Sequence, residues 1–255
     1  MMKRAHLRRL FALTVFLTAA TAACAADLVV FCAGAVKPAF SALAPTWTAR
    51  SGDAIQVTYA TAGELMAKID AGERADLVIM PSEGLDAAAK KGAVVAASKR
   101  DLVAVKIGVA VAKDAKLPDL SSEEGVKRAF LGAKSVTYMD PTRGTSGKYI
   151  DEVVLPKLGI RDQVRAKVVL GEGGMIAEKV ARGEVDIAFQ QMTELLPVAG
   201  VQVAGELPPS LQKNTVYSGA VMASSVSAKD AGELLGFLMS NEAGAVFAAK
   251  GFGKP

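Results

Sequence analysis

The sequence predicts an α/β protein of two lobes with parallel sheets, and two features support this prediction. First, short runs rich in Val and Ile alternate with amphipathic segments through most of the chain. This pattern is typical of strands that are buried on both faces and separated by helices. Second, the apolar runs 103–111 and 216–222 are longer than the others, and each contains a glycine. We therefore predict a first lobe of residues 27–106 and 217–255 and a second, inserted lobe of residues 107–216. One continuous sheet is the alternative.

The individual elements follow this alternation in chain order. Glycine directly follows four of the predicted helices, where the left-handed conformation that ends many helices favours it. Strands are predicted for residues 28–32, 55–59, 77–80, 103–111, 135–138, 167–170, 185–189 and 216–222. Helices are predicted for residues 38–50, 64–71, 85–91, 122–131, 145–158, 175–182 and 231–239.

Residues 1–26 are predicted to be a signal peptide for export. An uncharged apolar stretch, residues 10–26, follows a basic cluster and ends in small residues, as secretory signals do. A membrane-spanning helix usually needs about 20 apolar residues, which is more than this stretch offers. We therefore predict a periplasmic protein that begins near Asp27, with a retained anchor or lipid attachment at Cys24 as alternatives. The basic cluster consists of Lys3, Arg4, Arg8 and Arg9.

The charge distribution excludes several classes of function. The net charge is +4, and the four N-terminal basic residues account for all of it. The exported protein would be formally neutral, without the surplus of Lys and Arg that a nucleic-acid surface needs. The only histidine, His6, lies in the predicted signal, which excludes a histidine-based triad or metal site from the mature chain. Cys32 would be the only cysteine left, so we predict no disulfide. We also predict no metal, no cofactor and a monomer.

Four predicted strand-to-helix turns form the candidate ligand site, at residues 32–38, 60–64, 140–149 and 171–175. In open α/β sheets, ligands bind beyond the carboxyl ends of strands, where backbone N–H groups at helix N-termini favour anions. Arg143 adds a guanidinium, which binds carboxylates through two parallel hydrogen bonds. For each turn alone, ordinary helix capping is the alternative interpretation. The candidate ligand-binding residues in these turns are Gly34, Ala35, Ala62, Gly63, Arg143, Thr145, Ser146, Gly173 and Gly174.

Four segments resemble the periplasmic molybdate-binding protein family, the type 2 substrate-binding proteins of ABC importers. These segments are residues 29–35, 65–79, 146–149 and 180–188, and the likeness extends along the predicted mature chain. The resemblance implies a periplasmic-binding-protein type 2 fold, with two Rossmann-like lobes and a cleft between them. It also implies hinge closure on an oxyanion held by hydroxyls and backbone N–H groups, and an importer permease as partner.

The sequence departs from this family at its ligand positions. Ala35 and the pair Ala62 and Gly63 stand where the family usually offers serine hydroxyls, and Gln191 stands where a ligand-facing tyrosine is common. The resemblance adds Gln191 to the candidate ligand-binding residues. It leaves the ligand open between a molybdate-like oxyanion and a small carboxylate. The leading prediction is a solute-binding protein of an ABC importer that closes on a small anion.

Aconitate isomerases are similar to the same family and provide the alternative prediction. Such an enzyme moves an allylic double bond by removing one proton and returning another. Without histidine, the acid and base would have to come from carboxyl, amine, phenol or thiol groups whose pKa values a closed cleft can shift. The candidates by position are Glu64, Tyr149, Glu172 and Cys32.

Overall fold

The computed structural model describes residues 27–255. The predicted signal peptide and the possible lipid attachment at Cys24 therefore lie outside the described residues. Across the described part of the chain, none of the helices combines the length and the apolar character needed to span a membrane.

Eight strands and eleven α-helices alternate over this range. The strands are Asp27–Ala33 (β1), Ala54–Ala60 (β2), Leu77–Pro81 (β3), Arg100–Ala112 (β4), Val136–Tyr138 (β5), Ile187–Gln191 (β6), Val201–Glu206 (β7) and Asn214–Val221 (β8). The helices are Lys37–Ser51 (α1), Ala62–Asp70 (α2), Ser82–Lys90 (α3), Glu123–Gly132 (α4), Thr145–Tyr149 (α5), Leu155–Leu158 (α6), Arg161–Arg165 (α7), Glu178–Ala181 (α8), Met192–Leu195 (α9), Ala228–Leu238 (α10) and Asn241–Ala249 (α11).

The first lobe is built on strands in the order β2-β1-β3-β8-β4. β1 pairs in parallel with β2 and β3, whereas β8 is antiparallel to both β3 and β4. Every residue of β3 is buried, because helices cover both faces of a central strand that consists only of apolar residues and proline. Helices α1, α10 and α11 pack together on this sheet, and Trp47 of α1 lies against Phe237 of α10.

The second lobe is built on β5, β6, β7 and the second half of β4. The thirteen-residue β4 pairs with β8 up to Lys106 and with β6 from Ile107 onward. β7 pairs with β4 on its other side. Phe130 of α4 and Phe189 of β6 stack at 3.9 Å between ring centroids in this lobe's core. β4 therefore runs through both lobes as one strand.

The structure confirms the two-lobed α/β fold and corrects several details of the prediction. The sheets are mixed rather than parallel, because β4 and β8 cross between the lobes in opposite directions. The predicted strand 167–170 contributes only one isolated bridge, at Val168, and a second isolated bridge follows it at Gly171. β7 was missed because its residues are mostly half-buried and give no continuous apolar signal. The predicted helix 145–158 is continuous but includes a π-helical turn, Ile150–Val154, between α5 and α6.

A buried carboxylate fixes that π-helical turn to the sheet. The side chain of Asp151 accepts hydrogen bonds from the Tyr138 hydroxyl at 3.1 Å, from Arg161 at 2.6 Å and from Arg165 at 2.7 Å. The Arg165 guanidinium, together with Arg161 and Tyr138, holds the pKa of Asp151 well below its usual range against the opposing effect of burial. The helix that follows the third predicted turn is thereby anchored to β5 and α7.

Candidate ligand-binding site

A cavity of about 500 Å³ lies where the turns of the two lobes meet. Its wall contains residues from all four predicted turns, from the carboxyl end of β6 and from β8. The wall residues are Ala33, Gly34, Ala35, Lys37, Tyr59, Ala60, Thr61, Ala62, Glu64, Met139, Gly144, Thr145, Ser146, Glu172, Gly173, Gly174, Met175, Ile176, Glu178, Lys179, Arg182, Gln191, Glu194 and Tyr217.

The first turn brings small residues to the cavity directly after β1. A short 3₁₀ turn, Gly34–Val36, joins β1 to α1, and Pro38 occupies the first turn of the helix, where its missing N–H costs nothing. A Cβ atom on Gly34 would lie 3.5 Å from the Oε1 atom of Glu194, which belongs to the other lobe. The turn therefore leaves room for a group between the lobes.

The second turn is a capped helix start that also touches the second lobe. Thr61 and Glu64 form a reciprocal capping box at the N-terminus of α2. The backbone N–H of Gly63 donates to the carbonyl oxygen of Arg143 at 3.1 Å. A Cβ on Gly63 would lie 3.2 Å from the carbonyl oxygens of both Thr142 and Arg143, so only glycine allows this close approach without displacement.

The third turn positions Arg143 against the first lobe. The Asp140 side chain accepts from the backbone N–H and hydroxyl of Thr142, and the turn is thereby stabilised ahead of α5. The Arg143 guanidinium forms an ion pair with Glu64 across the lobe boundary. The pKa of Glu64 is lowered, first by the backbone N–H of Thr61 and then by Arg143. In the structure, the Arg143 guanidinium therefore binds a protein carboxylate.

A buried glutamine holds the fourth turn in place. The Gln190 amide nitrogen donates to the Gly174 carbonyl oxygen at 2.7 Å, and its amide oxygen accepts from the backbone N–H of Ile176 at 3.1 Å. Gly174 has a φ of 69°, in the left-handed region that glycine adopts without strain. Gly173 and Gly174 are therefore presented to the cavity by a fixed backbone.

The carboxyl end of β6 carries three polar side chains to the boundary between the lobes. The Gln191 amide oxygen accepts from the Tyr217 hydroxyl at 2.9 Å, and the Thr193 hydroxyl donates to the Ala35 carbonyl oxygen at 2.9 Å. Glu194 is only 8% exposed. Burial raises its pKa to about 8, and a hydrogen bond with Gln190 opposes this rise. Burial, with the nearby Glu194 carboxyl, raises the pKa of Tyr217 well above its usual value.

Two cations in the wall stand apart from the paired charges. Lys37 lies 5.4 Å from the centroid of the Tyr59 ring, and neither Lys37 nor Lys179 belongs to an ion pair among residues 27–255. Arg182, in contrast, is paired with Glu178 and Glu184. Within the same range no three His, Cys, Asp or Glu side chains come together as a metal site would require.

The structure brings most of the predicted ligand-binding residues to one cavity. Two of them, Gly63 and Arg143, line a smaller adjoining cavity of about 330 Å³ instead. The remaining ones line the main cavity: Gly34, Ala35, Ala62, Thr145, Ser146, Gly173, Gly174 and Gln191.

The four acid and base candidates have different surroundings. Glu64 and Glu172 line the main cavity. Tyr149 lines the adjoining one and donates to the Gln212 carbonyl oxygen at 3.3 Å. Cys32 is fully buried, and this burial raises the pKa of its thiol.

Sequence reasoning missed several residues of the wall, among them Tyr59, Glu194 and Tyr217. Tyr59 and Tyr217 lie within predicted strands, where an aromatic residue is ordinarily a core residue. Glu194 follows β6 by three residues, in a position equivalent to the other strand-to-helix turns. The helix α9 is too short to give a periodic signal, so this fifth turn escaped notice.

Two α/β lobes with a cavity at facing strand ends define a class of protein that binds a solute between its lobes. The chain belongs to the bacterial extracellular solute-binding proteins, because a model of that family matches residues 28–253. This match confirms the resemblance that the sequence predicted.

Two curated relatives match most of the chain. The chain is 30% identical to an aconitate isomerase of Pseudomonas sp over 221 residues, which are 85% of this chain and 83% of that protein. It is 25% identical to the molybdate-binding protein ModA of Escherichia coli (strain K12), over 76% of this chain and 77% of the relative.

Solved structures share the fold at lower identity. The periplasmic molybdate-binding protein of Azotobacter vinelandii superposes with a TM-score of 0.76 at 19% identity, covering 90% of this chain and 100% of that one. The sulfate-binding protein SubI of Mycobacterium tuberculosis H37Rv gives a TM-score of 0.72 at 18% identity, over 89% and 86% of the two chains.

Proposed function

We propose that this protein is an exported solute-binding protein that closes on a small carboxylate between its lobes. The cavity carries this proposal. Backbone turns and the hydroxyl-bearing residues Thr61, Thr145 and Ser146 line it, and two wall cations, Lys37 and Lys179, form no ion pair within the described residues. Cations and N–H groups that converge on an enclosed space favour an anion.

The size and lining of the cavity favour an organic anion over a tetrahedral oxyanion. A volume of about 500 Å³ lies within the range of about 300–1,000 Å³ that small organic ligands occupy. Ala35 and Ala62 offer no hydroxyl to an oxyanion, although both contribute to the wall. A carboxylate on a short carbon skeleton would use both the polar and the apolar parts of this surface.

The lobes, as residues 27–106 with 217–255 and residues 107–216, would close by a hinge. β4 and β8 are the strands that connect them, and Gly108 and Gly219 lie within these strands. A ligand that contacts both lobes favours the closed state by the difference in its contacts. The proposal includes export to the periplasm and delivery to an importer permease, as the family implies.

Titration calorimetry of the purified protein tests the ligand class. The panel consists of citrate, cis-aconitate, trans-aconitate, molybdate, tungstate and sulfate. We expect heat with at least one carboxylate and none with molybdate. Binding of molybdate alone would replace the carboxylate by an oxyanion, and no heat from any anion would remove the proposal.

Isomerisation of aconitate is the second candidate function. It is supported by the relative of that name, with which this chain shares 30% identity over most of both proteins. Incubation with cis-aconitate, followed by proton NMR for the trans isomer, tests it. No conversion above a heat-inactivated sample would remove this candidate and leave carboxylate binding in place.

A further inference from the structure

One carboxyl group of the cavity wall differs from all the others in its surroundings. Glu194 is buried at the carboxyl end of β6, within reach of the space beside Gly34, and has no cationic partner among the described residues. We propose that Glu194 is the group that carries a proton between two carbon atoms of an allylic carboxylate bound in this cavity. The inference rests on the proposed function, since it requires that the cavity bind a carboxylate.

The position of Glu194 is fixed by contacts on several sides. Gln190 hydrogen-bonds its side chain, and Gln190 is itself held by the backbone at Gly174 and Ile176. The neighbouring Thr193 is bonded to the Ala35 carbonyl of the facing lobe. A proton-transfer group must be held at a defined place relative to the reacting carbon, and these contacts provide that constraint.

The electrostatic setting suits both the arrival of an anion and proton transfer. With its pKa raised to about 8 by burial, Glu194 holds its proton in most molecules at neutral pH. An anionic ligand therefore meets no negative charge at this point of the wall. The ionised fraction provides a base whose strength suits operation near neutral pH. Tyr217 faces Glu194 from β8, with Cys32 beside that tyrosine, and burial keeps both of these groups protonated over the same pH range.

The proton-transfer step is balanced without any further reactant. Ionised Glu194 takes a proton from the methylene carbon of the ligand, and that C–H bond breaks. The electron pair of that C–H bond forms a new double bond between the methylene carbon and the neighbouring carbon. The original double bond breaks, and its electron pair moves to the carbon at its far end. The far carbon then takes a proton from the Glu194 carboxyl group, so one C–H bond is lost and one is gained.

The other carboxylates of the wall are less suited to this role. Glu64 is occupied by the Thr61 cap and by Arg143, which lower its pKa and weaken it as a base. Glu178 pairs with Arg182. Glu172 is exposed and so lacks the burial that sets Glu194 apart. Glu124 of α4 is exposed and lies outside the cavities described above, so it provides a control glutamate away from the site.

Exchange of ligand protons in heavy water tests the proposal. The protein is incubated with cis-aconitate in D₂O. Proton NMR follows the appearance of trans-aconitate and the loss of the methylene proton signal as deuterium replaces the proton. Calorimetry measures binding. We expect Glu194→Gln to lower proton transfer at least about 100-fold while binding of cis-aconitate changes less than about threefold. Glu124→Gln should leave the transfer rate within about threefold of the original protein. Glu194→Asp, which keeps a displaced carboxyl, should retain measurable transfer.

The possible failures are distinguishable. Binding without isomerisation or exchange in the original protein would overturn the role of Glu194 and leave the proposed binding function intact. Undiminished transfer in Glu194→Gln would also overturn it. Absence of binding of every carboxylate would overturn the proposed function itself. The calorimetric signal of each variant shows that its cavity is folded.

Discussion

Replacing Glu194 by glutamine should change how the stability of this protein depends on pH, even without ligand. In the unfolded chain a glutamate ionises near the ordinary value of 4.5, whereas burial raises the pKa of Glu194 to about 8 in the folded protein. Between these values the folded state holds a proton that the unfolded state has lost. Folding stability therefore falls as pH rises through this window and levels off above it.

The size of this effect follows from the two pKa values. Each pH unit within the window costs about 1.4 kcal/mol of stability. From about pH 5 to about pH 7.5 the original protein should lose about 3 kcal/mol through this one group. Glutamine keeps the shape and a hydrogen-bonding amide but cannot ionise. The variant should be close in stability to the original protein at about pH 5 and about 3 kcal/mol more stable at about pH 7.5.

Urea unfolding at a series of pH values measures this difference. The urea midpoints of the two proteins should diverge as pH rises, at unchanged m-value. Tyr217, which faces Glu194, and Cys32 beside it do not titrate in this window, because burial raises both pKa values. Glu172→Gln provides the control and should run parallel to the original protein. Parallel curves for Glu194→Gln as well would show that Glu194 ionises normally, and the reasoning would then be wrong.

Three further perturbations test the contacts between and within the lobes. Gly63→Ala places a Cβ 3.2 Å from two carbonyl oxygens of the facing lobe, so ligand affinity measured by calorimetry should fall about tenfold; Gly232→Ala, where nothing lies within 4 Å, should leave affinity unchanged. Arg143→Ala should weaken carboxylate binding, and a double-mutant cycle with Glu64→Gln separates two causes. If Arg143 acts only through its ion pair with Glu64, the double variant should bind the carboxylate no more weakly than either single variant. If Arg143→Ala leaves the affinity unchanged, Arg143 takes no part in ligand binding. Asp151→Asn should lower the free energy of unfolding by about 2–3 kcal/mol at neutral pH, since it leaves Arg161 and Arg165 without their anion, although both are partly solvated. The contribution of ionised Asp151 to stability is present above about pH 4 and is lost as pH falls, because Arg165 and Arg161 lower the pKa of the folded carboxyl. If the original protein and Asp151→Asn lose stability in the same way as pH falls, this account is wrong.

The sequence predicted the fold well because the strands of the first lobe are short, mostly apolar runs, a pattern that indicates buried strands. β1, β2 and β3 were each located to within two residues of their observed ends. Strand direction was less predictable. The antiparallel pairing of β8 with β3 and β4 depends on how the chain returns from the second lobe, and no local pattern encodes that path. β7 was missed because a half-buried strand has no continuous apolar run to mark it.

The candidate site was predicted from backbone turns rather than from side-chain chemistry. Glycines and small residues after strands are visible in a sequence, and the structure brings Gly34, Ala62, Ser146 and Gly173 to one cavity. The protonation state of a carboxyl group cannot be recognised from the sequence in the same way. Glu194 differs from Glu172 only through burial and hydrogen bonding, and these arise from contacts between segments far apart in the chain.

The continuity of β4 has a consequence for how this protein unfolds. The two lobes have separate hydrophobic cores, an arrangement that often gives two melting transitions. Here a single strand of thirteen residues provides backbone hydrogen bonds to β8 in one core and to β6 and β7 in the other. Loss of either core would release one half of that strand and remove the support of the other half. We therefore expect a single calorimetric transition, in which the calorimetric and van't Hoff enthalpies agree.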